Sequence, residues 1–253
     1  VTAETADPDT TLLATVTSDD ATVTTANTSV DTTNSAAAAT TISLTTGLDT
    51  GAAFTGAAGN DIFVSVDNNV ATTGTLTAGD NLDGGAGSDT LKVVASGTPS
   101  APLVSTTSIE TLDLTNNSGA GYSFNASLMP GLSTVNVTGG NEATTVTNSQ
   151  GNLSIVASTT NNDITTTSAT PSLGAADSID VSLTSVGTTT NTTFTSNGIE
   201  TMNVTLTGAA SGSTTVGSER TVTLVSDQLE TVNITGSVAA NLVVDLDLSL
   251  IHI

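Results

Sequence analysis

Ile109-Glu-Thr-Leu-Asp-Leu-Thr115 returns, little altered, as Leu132-Ser-Thr-Val-Asn-Val-Thr138, Ile199-Glu-Thr-Met-Asn-Val-Thr205 and Leu229-Glu-Thr-Val-Asn-Ile-Thr235. The shared pattern is apolar, Glu or Ser, Thr, apolar, Asp or Asn, apolar, Thr. Its last two apolar residues, Leu112 and Leu114 in the first copy, alternate with polar ones and so share one face of a β-strand. The first apolar residue stands three before the next, so a bend or bulge precedes the strand. Weaker copies begin at Leu153, Ile179 and Leu242. The starts at 109, 132, 153, 179, 199, 229 and 242 are separated by 23, 21, 26, 20, 30 and 13 residues. Most of these steps match one supersecondary unit per repeat and are too short for a βαβ unit. Asn116-Asn-Ser-Gly119 and Gly139-Gly-Asn141 supply turns between copies. The expected fold is all-β, a parallel β-solenoid in which each coil covers its apolar face by stacking on the next. An antiparallel β-sandwich is the alternative, because turns at shorter spacing would also permit hairpins.

Composition points the same way. Aromatic residues make up 2% of the 253-residue chain, and Thr, Ala, Val, Ser, Gly and Asn dominate. β-Branched Thr and Val favour a pleated surface over helix. There are 24 acidic residues against two basic ones, Lys92 and Arg220, for a net charge of -22. Nucleic acid is excluded as a partner, because phosphate binding needs Lys and Arg. Anionic membrane surfaces are disfavoured for the same reason, and no apolar run approaches the ~20 residues that span a bilayer. The acidic groups need some other cation: two carboxylates near 4 Å repel by about 4 kcal/mol at an effective dielectric of ~20. A hard divalent ion with oxygen ligands reverses that sign. Without cysteine there is no disulfide framework and no thiolate metal site.

The chemistry is concentrated upstream of the repeats. Gly84-Gly-Ala-Gly-Ser-Asp-Thr-Leu-Lys92 fits the nonapeptide calcium-repeat pattern G-G-x-G-x-D-x-U-x at every specified position. Gly84, Gly85 and Gly87 allow positive φ and let carbonyls converge on an ion. Asp89 supplies a carboxylate, and Leu91 is the apolar foot of a short strand. The preceding nine residues keep Asp80 in register with Asp89 and end on Asp83. A further copy, Gly56-Ala-Ala-Gly-Asn-Asp-Ile-Phe-Val64, retains Gly56, Gly59 and Asp61, with Asn60 beside them. Gly47-Leu-Asp49 forms a half-site, its Asp49 set apart from Phe54 by an inserted Gly51-Ala-Ala53. The expected ligand is Ca²⁺, which takes six to eight oxygen ligands at about 2.3–2.6 Å. The alternative is ordinary turns with Asp as a turn former. Asp67, Asn68 and Asn69 read as loop residues, and Glu110, Glu200 and Glu230 as solvated turn positions.

Ser43-Leu-Thr-Thr-Gly-Leu-Asp49, Phe54–Val64, Thr75–Asp80, Asp83–Leu91 and Ile109–Thr115 together resemble the calcium-binding core of RTX-type bacterial surface-layer proteins, such as those of Caulobacter and Campylobacter. The resemblance implies a β-roll segment, type I secretion, folding triggered by calcium outside the cell, and self-assembly into a lattice at the bacterial surface, with cell-surface polysaccharide as a further partner. Three segments follow: a low-complexity linker or edge strands at 1–41, which includes Thr11-Leu-Leu-Ala-Thr-Val-Thr17, a calcium-binding segment at 42–94, and a solenoid region at 95–253. The chain opens on Val1 with no visible leader and stops at Leu250-Ile-His-Ile253, so either end is expected to be a fragment boundary.

Catalysis is not expected. No HExxH occurs, and one His, one Lys, one Arg and one Tyr leave few groups for acid–base work. Asp245 and Asp247 could mimic a glycosidase pair, but no aromatic platform accompanies them. A calcium-dependent adhesin, or an ice- or carbohydrate-binding module, is the stronger rival, on the strength of Thr-x-Thr arrays such as Thr15-Val-Thr17 and Thr205-Leu-Thr207. The irregular repeat spacing is expected to keep such pairs from aligning between coils.

Overall fold

The structure is a computed structural model and describes residues 38–140, 142–160, 162–168, 177–187, 190–208, 221–236 and 241–246, without the side chains of 168, 245 and 246. Most of the 1–41 segment, Thr15-Val-Thr17, Arg220, Asp247 and His252 lie outside these residues.

Strand segments of alternating Thr and aliphatic residues can pair along their length but cannot cover a face alone. Here stacking provides the cover. The strands in chain order are β1 (Thr41–Ser43), β2 (Ile62–Asp67), β3 (Asn81–Asp83), β4 (Thr90–Ser96), β5 (Ser105–Thr107), β6 (Thr111–Asn117), β7 (Tyr122–Asn125), β8 (Thr134–Thr138) and β9 (Thr144–Ser149). They continue as β10 (Ser154–Ser158), β11 (Ile164–Ser168), β12 (Ser178–Thr184), β13 (Thr192–Ser196), β14 (Thr201–Thr207), β15 (Val222–Ser226), β16 (Thr231–Gly236) and β17 (Leu242–Leu246). One sheet of nine strands runs β1-β2-β4-β6-β8-β10-β12-β14-β16, and a second of six runs β7-β9-β11-β13-β15-β17. β3 and β5 form a two-stranded sheet. Every pairing is parallel, so the fold is a parallel β-solenoid and the sandwich is set aside. The large sheet passes unbroken from the Gly/Asp-rich coils into the repeat coils, since β4 pairs with both β2 and β6.

The repeat phrase supplies the strands of the first wall. Its inward residues form columns: Phe63, Leu91, Leu112, Val135, Ile155, Val181 and Val204 lie side by side on successive strands, and all are buried. Full burial of such a side chain contributes about 1.5–3 kcal/mol, so a core of short aliphatics is held by repetition rather than by bulk. The bend ahead of each strand is also present, and its apolar residue, Ile109, Leu132, Ile199 or Leu229, is buried. Leu242 differs from the other starts. It opens β17 in the second wall, half a coil beyond β16, which explains its short step of 13 residues.

Coils differ in length without loss of register. Facing positions on neighbouring coils are separated by 21, 28, 21, 23 and 30 residues along the stack. The extra residues are absorbed in turns, so outward hydroxyls line up after all. Thr111, Thr134 and Ser154 are neighbours, as are Ser182, Thr205 and Thr235 and, on the second wall, Thr145, Thr165 and Thr195. This overturns the expectation drawn from irregular spacing, because spacing constrains turns while the sheet constrains register.

The inner face of the second wall is more polar than that of the first. Val146 is followed by Thr166 and Ser196 in one inward column, with Thr166 Oγ1 donating to Ser196 Oγ at 3.0 Å. Asp67, read from sequence as a loop residue, ends β2 and is buried. Its carboxylate accepts from Ser100 N (2.8 Å), Ala101 N (2.7 Å) and Tyr122 Oη (2.9 Å), tying the 97–104 loop and β7 to the coil above. Burial, then the Asp67 charge, push the Tyr122 phenol well above its ordinary pKa of 10.0, so it stays a donor.

Candidate functional site

Short Gly/Asp turns leave backbone amides without strand partners, and an aspartate one residue ahead of a strand can accept them. Asp61 does so before β2. Its Oδ2 accepts from Ala57 N at 2.6 Å, closing its own turn, and its Oδ1 accepts from Thr40 N at 2.5 Å on the previous coil. Asp89 stands in the same place before β4, its Oδ1 accepting from Asp61 N at 2.6 Å. Glu110 follows before β6, its Oε2 accepting from Asp89 N at 2.8 Å. Three carboxylates thus stack at one edge of the large sheet, each bound to the backbone of the coil before it.

A second column joins Asp49 and Asp80. Asp49 Oδ1 and Oδ2 accept from Thr45 Oγ1 (2.5 Å) and Thr45 N (2.9 Å). Asp80 Oδ1 accepts from Asp49 N (3.0 Å) and Thr77 Oγ1 (2.7 Å), and its Oδ2 from Thr77 N (2.8 Å). Asp80 precedes β3, so this column borders a different sheet from the first. The nonapeptide register that aligned Asp80 with Asp89 therefore spans half a coil and alternates between the two columns.

The glycines are required by close approach. A Cβ on Gly56 would collide with Gly84 O and Asp61 Oδ2, and one on Gly84 with Ser108 O and Asp89 Oδ2. At Gly85 and Gly87, with φ 85° and 137°, a Cβ would strike the Ala57 and Gly59 carbonyls. Ala86 N donates to Ala57 O at 3.0 Å and Ser88 N to Asn60 Oδ1 at 2.9 Å, so the 84–89 turn lies flat on the 56–61 turn. Asp83 accepts from Gly85 N at 3.1 Å. Of the expected ligands, Gly56, Gly59, Asn60, Asp61, Asp83, Gly84, Gly85, Gly87 and Asp89 meet in this stack, and Asp49 and Asp80 stand apart from it.

Charge is unbalanced here. Asp49, Asp61, Asp80 and Asp89 are each fully buried. Burial raises the Asp89 pKa above its ordinary 3.8, the amide of Asp61 offsets part of that, and Glu110, Asp61 and Asp83 raise it further. Asp89 Oδ2 is buried with no hydrogen-bond partner. The ion pair described, Lys92 Nζ to Asp113 Oδ2 at 3.6 Å, lies on the outer face and does not reach this column.

Among the described residues, no three His, Cys, Asp or Glu side chains gather closely enough to hold a metal by themselves. A cation in this stack would therefore need main-chain oxygen as well, and the turns present it: the Gly84 and Ser108 carbonyls each lie against a glycine and an aspartate of the coil before. Mixed carboxylate and carbonyl oxygen is a donor set for a hard ion such as Ca²⁺, so the residues fit the expected metal.

The solvated reading fails for Glu200 and holds only in part for Glu110, which is half-buried with its carboxylate on Asp89 N. Glu200 is buried at 6% exposure, and its Oε2 accepts from Asp177 N at 2.8 Å, repeating the Glu110 arrangement. Only Glu230 of the three is exposed. A sequence signal existed: Asp89-Thr-Leu and Glu110-Thr-Leu are the same phrase, so the end of the nonapeptide and the start of the repeat are one structural position. Among the described residues no helix is long and apolar enough to cross a membrane.

No protein-family model, curated protein or solved structure matches this chain.

Proposed function

We propose that this chain is a structural subunit of an extracellular, calcium-dependent bacterial surface layer, folding and self-assembling when Ca²⁺ fills the stacked Gly/Asp turns. The observation that carries the reading is the column of Asp61 and Asp89, fully buried, and Glu110, half-buried, stacked beside main-chain carbonyls that glycines let approach, with Asp83 adding charge and no basic side chain at the column among the described residues. Asp61 and Asp89, with the carbonyls of the Gly56 and Gly84 turns, would hold the ion, which supplies the positive charge these coils lack. Inside a cell, low calcium leaves the acidic turns repelling. Outside, millimolar calcium fills sites of roughly 10⁻⁴–10⁻³ M affinity. At about 1–10 times its dissociation constant one site adds about 0.4–1.4 kcal/mol, so a few sites together make a large share of the stability of a thin core. The resemblance to RTX-type surface-layer proteins supports the assembly part of the reading, as does a nine-stranded parallel sheet with an outward face. Circular dichroism and light scattering with and without EGTA test the calcium dependence. Electron microscopy of the calcium-loaded protein tests assembly, where ordered sheets or tubes are expected and persistent monomers overturn it.

The aligned hydroxyl columns on both walls favour a second reading, a calcium-dependent adhesin with an ice- or carbohydrate-binding face. Thermal hysteresis or pull-down on insoluble polysaccharide, together with persistent monomers, would select it. No nucleic-acid partner, membrane insertion or catalytic activity is part of either reading.

A further inference from the structure

We infer that the cation column extends one coil beyond the last nonapeptide, into a site built by Gly84, Asp89 and the Ser108-Ile-Glu110 turn, which carries no calcium-repeat motif. The inference rests on the proposed calcium reading and adds a site to it.

The evidence is an equivalence between coils. At the first junction, Gly56 lies against Gly84 O and Asp61 Oδ2. At the next, Gly84 lies against Ser108 O and Asp89 Oδ2. Ser108 therefore occupies the position that Gly84 holds one coil earlier. It does so without being glycine, at φ 50°, a left-handed conformation that a side chain adopts only under constraint. Its carbonyl stands, with Asp89 Oδ2, beside the place a Cβ on Gly84 would fill. Glu110 then repeats the role of Asp89, reaching back to the amide of the preceding acidic residue.

The two junctions differ in one atom. Asp61 Oδ2 accepts from Ala57 N within its own turn, whereas Asp89 Oδ2 accepts from nothing and is fully buried. Gly85 N, one residue after Gly84, donates to Asp83 instead. A buried carboxylate oxygen left without a donor is costly unless a cation meets it. The site thus combines the orphan Asp89 oxygen, the Ser108 carbonyl and the negative charge of Glu110, a donor set for a divalent cation with oxygen preference, with water completing the shell.

The test counts calcium per chain by native mass spectrometry, with affinity from calorimetric titration, for the 253-residue protein and three variants. Glu110→Gln keeps an oxygen to accept from Asp89 N and removes only charge. It is expected to lose one bound ion, or to weaken that ion by about tenfold or more, while Asp61→Asn weakens a different ion and leaves this one in place. Asp89→Asn removes the orphan carboxylate oxygen and loses the same ion as Glu110→Gln. In EGTA, Glu110→Gln and Asp89→Asn are expected to retain more β-sheet signal than the parent, because each relieves repulsion. A purely structural role for Glu110 would leave that signal unchanged or reduced. Calcium binding by the parent with unchanged stoichiometry and affinity in Glu110→Gln overturns the inference and spares the broader reading. Absence of binding by the parent overturns both.

Discussion

Two ends of the same stack join their coils with different side chains. At β2 and β4 a buried aspartate stands ahead of the strand and reaches back to the coil before, Glu110 does the same ahead of β6, and negative charge accumulates along the column. In the coils of β12, β14 and β16 that device survives in Glu200, which accepts from Asp177 N, but outward amides and hydroxyls also bind one another. Asn203 Nδ2 donates to Asp180 Oδ1 at 3.1 Å, and Asn233 Nδ2 to Asn203 Oδ1 at 2.9 Å, while Thr184 and Thr207 share a 2.7 Å hydrogen bond. An amide is donor and acceptor at once, so Asn203 donates to one coil and accepts from the next; ionised carboxylates only accept, so their column gathers negative charge. On the proposed calcium reading, the ion belongs at the end of the continuous sheet that carries the nonapeptides.

Removal of calcium should separate the ends most strongly. In EGTA, amide hydrogen exchange is expected to lose protection across 62–96 while 134–158 and 201–207 remain protected, and uniform loss would erase the distinction. Core truncation comes next. Phe63→Ala and Phe194→Ala each empty a fully buried site and should cost about 3–5 kcal/mol. Chemical denaturation should show the Phe63 variant, but not the Phe194 variant, recovering with added calcium. Glycine replacement follows: Gly84→Ala meets backbone and is expected to cost about 1–3 kcal/mol, against less than ~0.5 kcal/mol for Gly151→Ala, where nothing lies within 4 Å.

A pH effect should follow the same division. Because the folded Asp89 pKa is raised, the native state binds more protons than the unfolded chain between 3.8 and that raised value. Stability therefore falls as pH rises through this window and stays low above it. Calcium-free protein should regain protection in the β2 and β4 coils on mild acidification, and loss of protection instead would reverse the assignment. Smallest of all, Asn203→Ala interrupts a solvent-facing ladder and is expected to cost about 0.5–1.5 kcal/mol, with no calcium dependence in its melting temperature.

Much of this was legible from residues. The alternation in Leu112 and Leu114, and the return of that phrase about one coil later, fixed strands, faces and a stacked arrangement. The nonapeptide marked Gly84 and Asp89. What sequence hid was which turns lie over which: Asp80 and Asp89 look equivalent in register and fall in different columns, and Leu242 looks like another repeat start and belongs to the opposite wall. Ser108 escaped notice, and Glu110 was read as a solvated turn position, because motif patterns describe side chains, whereas the feature Ser108 reproduces is a backbone carbonyl held at positive φ. Asp67 escaped for a related reason, since its partners Ser100, Ala101 and Tyr122 are distant in sequence.

Absorption of length differences in turns has a practical consequence. Distance along the stack is counted in strands, about 4.8 Å each, whatever number of residues lies between them. The chain is thus a ruler whose graduations survive editing of the text. A peptide inserted at Gly119, where a turn stands clear of other atoms, would be displayed at a set height between β6 and β8, and its distance from a second insert on another coil could be read from the strand count.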